Sequence, residues 1–189
     1  MANNQAAKFF IFGLGNPGDE YQGTRHNAGF LFLDYLQQRL NQPKLSFQKK
    51  FAAEVSVSSN LILAKPLTFM NKSGEAVQKI VSYYAKDLTP AQLGDRLFVA
   101  HDDLDLAVGD FKLQQGVGPK QHNGLNSIYQ CVKTENFYHL RLGIDDRNGD
   151  RLFPPDRYVL QRLPPDQLAQ LQQTVFPQVY QQLATYLPT

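Results

Sequence analysis

Short apolar runs recur along the chain between polar or glycine-rich turns, and they alternate with segments in which apolar residues return every three to four positions. The first pattern is typical of buried strands and the second of helices that pack on a core. Strands are predicted at residues 9–12, 51–57, 61–64, 97–100, 111–114 and 137–144, and helices at 29–40, after 71, from 124 through 133 and at 168–183. Because proline disrupts a helix interior, Pro177 should kink or split the last helix.

This alternation predicts an α/β fold in one domain, with a mixed twisted sheet flanked by helices, of the phosphorylase/hydrolase-like kind. At 189 residues the chain is long enough to bury a core without disulfides or a structural metal. We assign residues 8–189 to this domain and expect residues 1–7, which are polar, to form a flexible N-terminal extension. The polar break at 58–60 predicts a hairpin between two strands.

The loop after the first strand is the most distinctive stretch of the sequence. Gly13-Leu-Gly-Asn-Pro-Gly18 formally matches the dinucleotide-binding pattern G-x-G-x-x-G. That pattern requires a helix at its third glycine and an acidic residue at the end of a second strand. Here the chain stays irregular beyond Gly18, and Asp34, the acid at the right distance, falls within a helical pattern. Dinucleotide binding is therefore a minority interpretation.

Composition restricts the binding partners and the cellular compartment that are expected for the protein. Lys and Arg number 19 and Asp and Glu 17, which leaves a net charge of +2, so any contact with nucleic acid must be local. The single cysteine, Cys131, excludes an intramolecular disulfide and fits a reducing compartment. With no signal-peptide pattern and no apolar run of membrane-spanning length, a cytoplasmic protein that does not engage a membrane is expected.

Polar side chains cluster where the predicted strands end, and in α/β folds ligands bind at the carboxyl edge of the sheet. Such a set supports hydrolysis by an activated water. His26 is the candidate general base, because its ordinary pKa is close to neutral pH, and Asp102 could fix its tautomer. The amides of Asn16, Asn71 and Asn123 could hold a carbonyl group or the water.

Other interpretations of these residues remain open. Asn71 and Asn123 both precede helices, so each could be an N-cap instead. The acidic run His101-Asp-Asp-Leu-Asp105 could bind a divalent cation in a metal-dependent hydrolase. The motifs of serine hydrolases, zinc proteases and P-loop enzymes are absent, and Cys131 lies within a helical pattern, where a thiol is usually inert.

A set of motifs resembles the bacterial-type peptidyl-tRNA hydrolase family and covers nearly the whole chain in the family's order. The motifs are Gly13-Leu-Gly-Asn-Pro-Gly18, Tyr21, Thr24-Arg-His-Asn-Ala-Gly-Phe30, Pro66-Leu-Thr-Phe-Met-Asn-Lys-Ser-Gly74, Ala100-His-Asp-Asp-Leu-Asp105, His122-Asn-Gly124 and Leu140-Arg-Leu-Gly-Ile144. The resemblance implies an esterase that releases peptides from the 3′-terminal ribose of tRNA and recycles tRNA from stalled or aborted translation. It also implies a monomer that needs no cofactor or metal.

The resemblance further implies a role for particular residues. It assigns His26 as the base, Asp102 as its partner and Asn16 as the residue that distinguishes peptidyl-tRNA from aminoacyl-tRNA. The positions that would hold the 3′ end and the peptide are Tyr21, Phe69, Asn71 and Asn123, and those that would bind the acceptor stem are Lys112 and Arg141.

Two features depart from the family pattern. Asp110 stands near the place of a second lysine before Lys112, and the usual glycine-rich loop is replaced by a longer segment at 114–121. A binding module that holds tRNA ends without turnover is the remaining alternative.

Overall fold

In the computed structural model, which describes residues 8–147 and 153–187, seven strands form one sheet in the order β2-β3-β4-β1-β5-β7-β6. The predicted extension at residues 1–7 lies outside the described residues. The strands are β1 (Phe9–Gly13), β2 (Ser46–Gln48), β3 (Ala53–Val57), β4 (Leu61–Pro66), β5 (Leu97–Ala107), β6 (Phe111–Gln115) and β7 (Tyr138–Asp145).

The sheet is mixed, as predicted. Strand β1 pairs in parallel with β4 on one side and β5 on the other, and β5 pairs in parallel with β7. The outer pairs β2–β3, β3–β4 and β6–β7 are antiparallel. The carboxyl ends of β1, β4, β5 and β7 therefore meet at one edge, which brings together the loops that follow them.

Helices cover both faces of the sheet because side chains on each central strand alternate between two cores. On β1, Ile11 joins the core under α1 and α7, whereas Phe10 and Phe12 join the core under α2 and α4. The described helices are α1 (Ala28–Arg39), α2 (Ser73–Tyr84), α3 (Pro90–Gly94), α4 (Asn123–Val132), α5 (Pro155–Tyr158), α6 (Pro165–Gln170) and α7 (Phe176–Ala184).

Helix α1 lies unusually close to the sheet at Gly29. A Cβ atom at this position would fall 2.3 Å from the carbonyl oxygen of Ala100 and 2.4 Å from the backbone nitrogen of Leu14. Only glycine permits this approach. The first turn of α1, and the residues just before it, are consequently held against the ends of β1 and β5.

Several predicted boundaries were wrong. Strand β5 continues to Ala107, so the acidic run lies within a strand and does not follow one. The short strand β2 was missed because it is an edge strand without an apolar run, and its Phe47 is 62% exposed. The hairpin at 58–60 is confirmed, with the backbone nitrogen of Ser58 donating to the carbonyl of Leu61.

The terminal helix changes its hydrogen-bond pattern just before Pro177 but stays helical from Pro165 to Ala184. Helix α6 ends at Gln170, a π-helical stretch spans Leu171–Val175, and α7 carries Pro177 in its first turn. Proline has no N–H for the regular helical bond, and the wider turn accommodates this. Among the described residues, no helix is both long and apolar enough to cross a membrane.

Candidate active site

The loop after β1 is fastened to its surroundings by Asn16. The backbone nitrogen of Asn16 donates to Asn27 Oδ1 at 2.9 Å, and Asn27 Nδ2 donates back to the carbonyl of Asn16 at 3.0 Å. The side-chain oxygen of Asn16 accepts from the backbone nitrogen of Met70 at 2.8 Å. Asn16 therefore joins the loops that follow β1 and β4. Asn27 belongs to the Thr24–Phe30 motif, but no role was predicted for it.

His26 and Asp102 are in direct contact. His26 lies in the 3-10 turn Arg25–Asn27 that leads into α1, and its backbone nitrogen donates to the carbonyl of Val159 at 2.8 Å. Its Nδ1 lies 2.8 Å from Asp102 Oδ1. Since a carboxylate only accepts, we assign the proton to Nδ1. That leaves Nε2 unprotonated and able to accept a proton from water.

His122 is the second partner of Asp102 and was not predicted as a site residue. Its Nε2 lies 3.0 Å from Asp102 Oδ1, while its Nδ1 accepts from the backbone nitrogens of Gly124 and Leu125 at 3.1 and 3.3 Å. This pattern fixes the tautomer, with Nε2–H donating to Asp102. His122 thus caps α4 and supports Asp102 at once.

The N-cap interpretation of the two asparagines was wrong. His122 is the N-cap of α4, and Asn123 is the exposed first residue of the helix. Helix α2 is preceded by Lys72, which makes no side-chain cap, and Asn71 is exposed in the 3-10 turn before it. Neither asparagine side chain therefore caps a helix. The sequence signal for His122 was the His-Asn-Gly motif at the start of a helix, where a ring nitrogen can cap as an Asx oxygen does.

Burial and charge oppose each other at the His26–Asp102 pair. Burial acts to lower the pKa of His26, but the negative charge and hydrogen bond of Asp102 outweigh it and raise that pKa above 6.5. Burial acts to raise the pKa of Asp102, but the two imidazoles hold it well below its ordinary range. Asp102 is therefore a carboxylate at neutral pH, as a partner for an imidazolium must be.

The acidic run does not bring its carboxylates together as the alternative cation site would require. Alternation along β5 directs Asp102 to the face of the sheet under α1, toward His26. His101 and Asp103 point to the opposite face. There His101 packs against His122 and His139, and Asp103 binds Arg141. In the described part of the chain, the candidate ligand group is His26, Asp102 and His122, whose ligating atoms lie within 4.8 Å of one another. These three could hold a metal ion, but the atoms that would ligate it are hydrogen-bonded to one another.

An open groove of about 570 Å³ lies over His26. Predicted residues from four separate segments line it, and Phe69 is 58% exposed on its wall. Tyr21 packs edge-on against Phe69, with ring centroids 6.5 Å apart. The groove residues are Asn16, His26, Phe69, Met70, Asn71, Lys72, Asn123, Asp156, Val159 and Leu160.

The two predicted phosphate-binding residues lie apart from this groove. Lys112 is exposed on β6, next to Arg141 in the β6–β7 register. Arg141 is buried, and its Nε donates to Asp103 Oδ2 at 2.7 Å and its Nη1 to Gln114 Oε1 at 3.0 Å. Recognition of the acceptor stem by this pair stays a prediction.

These features define an α/β protein with an imidazole, held by a buried carboxylate, beneath an open groove. A site of this kind is suited to general-base hydrolysis. The chain belongs to the peptidyl-tRNA hydrolase family, whose model matches residues 10–188.

Relatives with this name support the assignment. The peptidyl-tRNA hydrolase of Lawsonia intracellularis is 41% identical over 187 residues, covering 95% of this chain and 87% of the relative. That of Coxiella burnetii is 43% identical over 151 residues, covering 79% and 75%. The crystal structure of the Acinetobacter baumannii enzyme superposes with a TM-score of 0.78 at 29% identity, covering 98% of this chain and 95% of that one. A peptidyl-tRNA hydrolase complex with N-propanol gives a TM-score of 0.73 at 31% identity, with full coverage of both chains.

Proposed function

We propose that this peptidyl-tRNA hydrolase cleaves the ester between a peptide, or an N-blocked amino acid, and the 3′-terminal ribose of tRNA by means of a water that His26 activates. The observation that carries the proposal is the 2.8 Å contact between His26 Nδ1 and Asp102 beneath the groove. Because Nδ1 faces Asp102, Nε2 on the other side of the ring is the nitrogen left to accept a proton from water.

The reaction begins when His26 Nε2 removes a proton from water and the resulting hydroxide attacks the ester carbonyl carbon. The imidazolium formed is stabilised by the carboxylate of Asp102. The tetrahedral intermediate collapses by breaking the bond to the ribose oxygen, which takes the proton from His26 Nε2. Peptide acid and tRNA with a free ribose hydroxyl leave, and His26 is again neutral.

The groove amides give the intermediate its hydrogen-bond donors. Asn71 and Asn123 are exposed in the groove and free of capping, so their NH₂ groups can donate to the carbonyl oxygen as negative charge develops there. Asn16, whose oxygen is engaged by Met70, keeps its NH₂ group for the substrate. Tyr21 and Phe69 offer an aromatic wall on which the terminal base can stack.

The same proposal covers the location, the oligomeric state and the tRNA contacts of the enzyme. It works as a cytoplasmic monomer without a metal, and it binds the acceptor stem and 3′ end of peptidyl-tRNA, with Lys112 and Arg141 at the stem. The net charge of +2 is compatible with this because phosphate contacts need only a local basic surface.

The test is release of the acyl group from N-acetylaminoacyl-tRNA by the wild type and by His26→Ala, each with and without EDTA. We expect the wild type to turn over equally in both buffers and the variant to lose roughly 10²-fold or more in kcat, as for removal of a general base. Binding of uncharged tRNA controls for folding of the variant. Loss of turnover in EDTA would favour metal-assisted hydrolysis, and wild type that binds tRNA but releases nothing would favour the binding module.

A further inference from the structure

The positive charge around the groove is concentrated away from the predicted acceptor-stem site. On the β6–β7 side, the charge of Arg141 is compensated by the buried carboxylate of Asp103. Asp110 is exposed just before β6, where it opposes the charge of Lys112. An anionic partner would therefore find less net charge on this side than the count of basic residues indicates.

The opposite flank carries a row of exposed side chains on α2. Lys72, which precedes the helix, lines the groove itself. Lys79 and Tyr83 follow at intervals of seven and four residues, which place all three on one side of the helix. At 1.5 Å per residue the row extends about 16 Å from the groove. Lys79 is exposed, and Tyr83 is 59% exposed.

Lys50 extends this row from the neighbouring loop. Its Nζ lies 3.9 Å from the centre of the Tyr83 ring and 4.6 Å from that of Phe51. The Phe51 and Tyr83 rings pack edge to face at 5.4 Å, which holds the loop against α2. We call Lys50, Lys72, Lys79 and Tyr83 the α2 lysine face.

The lysines of this face are not compensated by carboxylates. In the part of the chain that the structure describes, none of its three lysines forms an ion pair. Glu75 is exposed on the same helix, and Lys49 is exposed beside Lys50. Counting Lys49 and Glu75 with the three lysines gives four cations against one anion, and thus a local charge of +3 on a protein whose total is +2.

We propose that the α2 lysine face binds phosphates of the RNA part of the substrate beyond its 3′ end. This inference rests on the proposed function. Lysines held at a constant spacing fit a ligand whose negative charges also repeat at a constant spacing. The RNA backbone is such a ligand because it carries one negative charge per nucleotide. The peptide part varies in sequence from one substrate to the next and supplies no such constant charge. The exposed ring of Tyr83 adds a surface for ribose or base contacts.

The test compares Lys50→Gln/Lys79→Gln with the wild type on two substrates that carry the same N-acetylaminoacyl group. One is full-length tRNA and the other is a short oligonucleotide with the 3′-terminal sequence of tRNA. For each, kcat/KM is measured over a series of salt concentrations. Lys72 is left intact because it lines the groove. Lys44→Gln/Lys133→Gln removes the same charge from exposed positions outside the face and is the matched control.

On full-length tRNA, we expect the salt dependence of kcat/KM for Lys50→Gln/Lys79→Gln to be shallower by about 2 in log–log slope, roughly one for each phosphate that a lysine no longer neutralises. On the short substrate the variant and the wild type should differ little. Lys50→Arg/Lys79→Arg should restore most of the slope because it keeps both charges, and the control should keep the wild-type slope.

Three results would overturn the inference. The first is a wild-type slope for Lys50→Gln/Lys79→Gln on tRNA, and the second is an equal slope change in the control variant. The third is an equal defect of Lys50→Gln/Lys79→Gln on the short substrate and on full-length tRNA, which would assign the face to the 3′ end or the acyl group that both substrates share. All three results can be interpreted only when the wild type hydrolyses both substrates. Wild type that hydrolyses neither would contradict the proposed function itself.

Discussion

Replacing Asp102 by asparagine tests the central contact of the site. The substitution keeps the size of the side chain and an oxygen that can accept from His26, but it removes the negative charge. That charge is fully buried, and its Oδ1 accepts from His26 at 2.8 Å and from His122 at 3.0 Å. The change therefore alters the electrostatics of the base with little change in packing.

The magnitude follows from the charge that would develop on His26 if it takes the proton from water, as proposed. An imidazolium and a carboxylate about 4 Å apart interact by about 4 kcal/mol at the effective dielectric of a protein site. The Asp102→Asn variant would lack this stabilisation in the transition state. Since about 1.4 kcal/mol corresponds to tenfold in rate, we expect kcat to fall by about 10³-fold.

The pH profile supplies a second readout. His26 acts as a base only when neutral, so activity falls on the acid side of its pKa, which Asp102 raises above 6.5. In Asp102→Asn the raising contribution is lost and burial, which lowers the pKa, remains. The acid limb of kcat/KM should therefore move to lower pH.

The assay is release of N-acetyl amino acid from N-acetylaminoacyl-tRNA between about pH 5 and about pH 9, the range that spans histidine titration. Asp105→Asn, an exposed position on the same strand, is the matched control and should keep both rate and profile. If Asp102→Asn retained its rate within roughly threefold and kept the position of its acid limb, the electrostatic role of Asp102 would be refuted.

Two further predictions distinguish effects on catalysis from effects on the stability of the fold. His122→Ala should lower the free energy of unfolding in urea by about 1 kcal/mol through loss of the α4 cap, and should lower kcat. His122→Asn should restore the cap but not the contact with Asp102, so stability returns while kcat stays low; recovery of both would contradict a positioning role. Gly29→Ala forces a Cβ against the carbonyl of Ala100 and should destabilise the protein by about 1–3 kcal/mol or more, seen as a lower Tm. An unchanged Tm would show that α1 tolerates a side chain at this approach.

The sequence predicted the site best where the relevant signal was local. Strand β1 and the glycine loop after it are a continuous pattern, and the alternation of strands and helices implied that loops meet at one edge. That reasoning was enough to pair His26 with Asp102 across 76 residues. It also grouped Asn16, Asn71 and Asn123, which all line the groove.

Side-chain contacts between neighbouring strands could not be predicted from the sequence in this way. Whether Arg141 is free for phosphate depends on its alignment with β5, where it pairs with His101 in register and reaches Asp103. No local pattern encodes that alignment. The length of β5 was underestimated for a related reason: polar residues at 101–103 look like a loop, but the structure buries them in hydrogen bonds that only distant segments provide.

The arrangement around Asp102 supports the proposal that His26, and not a neighbouring histidine, takes the proton from water. His122 also contacts Asp102, but its Nδ1 already accepts from two backbone N–H groups. Behind it, burial lowers the pKa of His101 well below the ordinary value and that of His139 to about 4, so neither ring competes for a proton near neutral pH. Of the four histidines in the chain, His26 is the one that lines the groove, and Asp102 raises its pKa. In the proposed reaction, the negative charge of Asp102 therefore faces the one imidazole that would become positive.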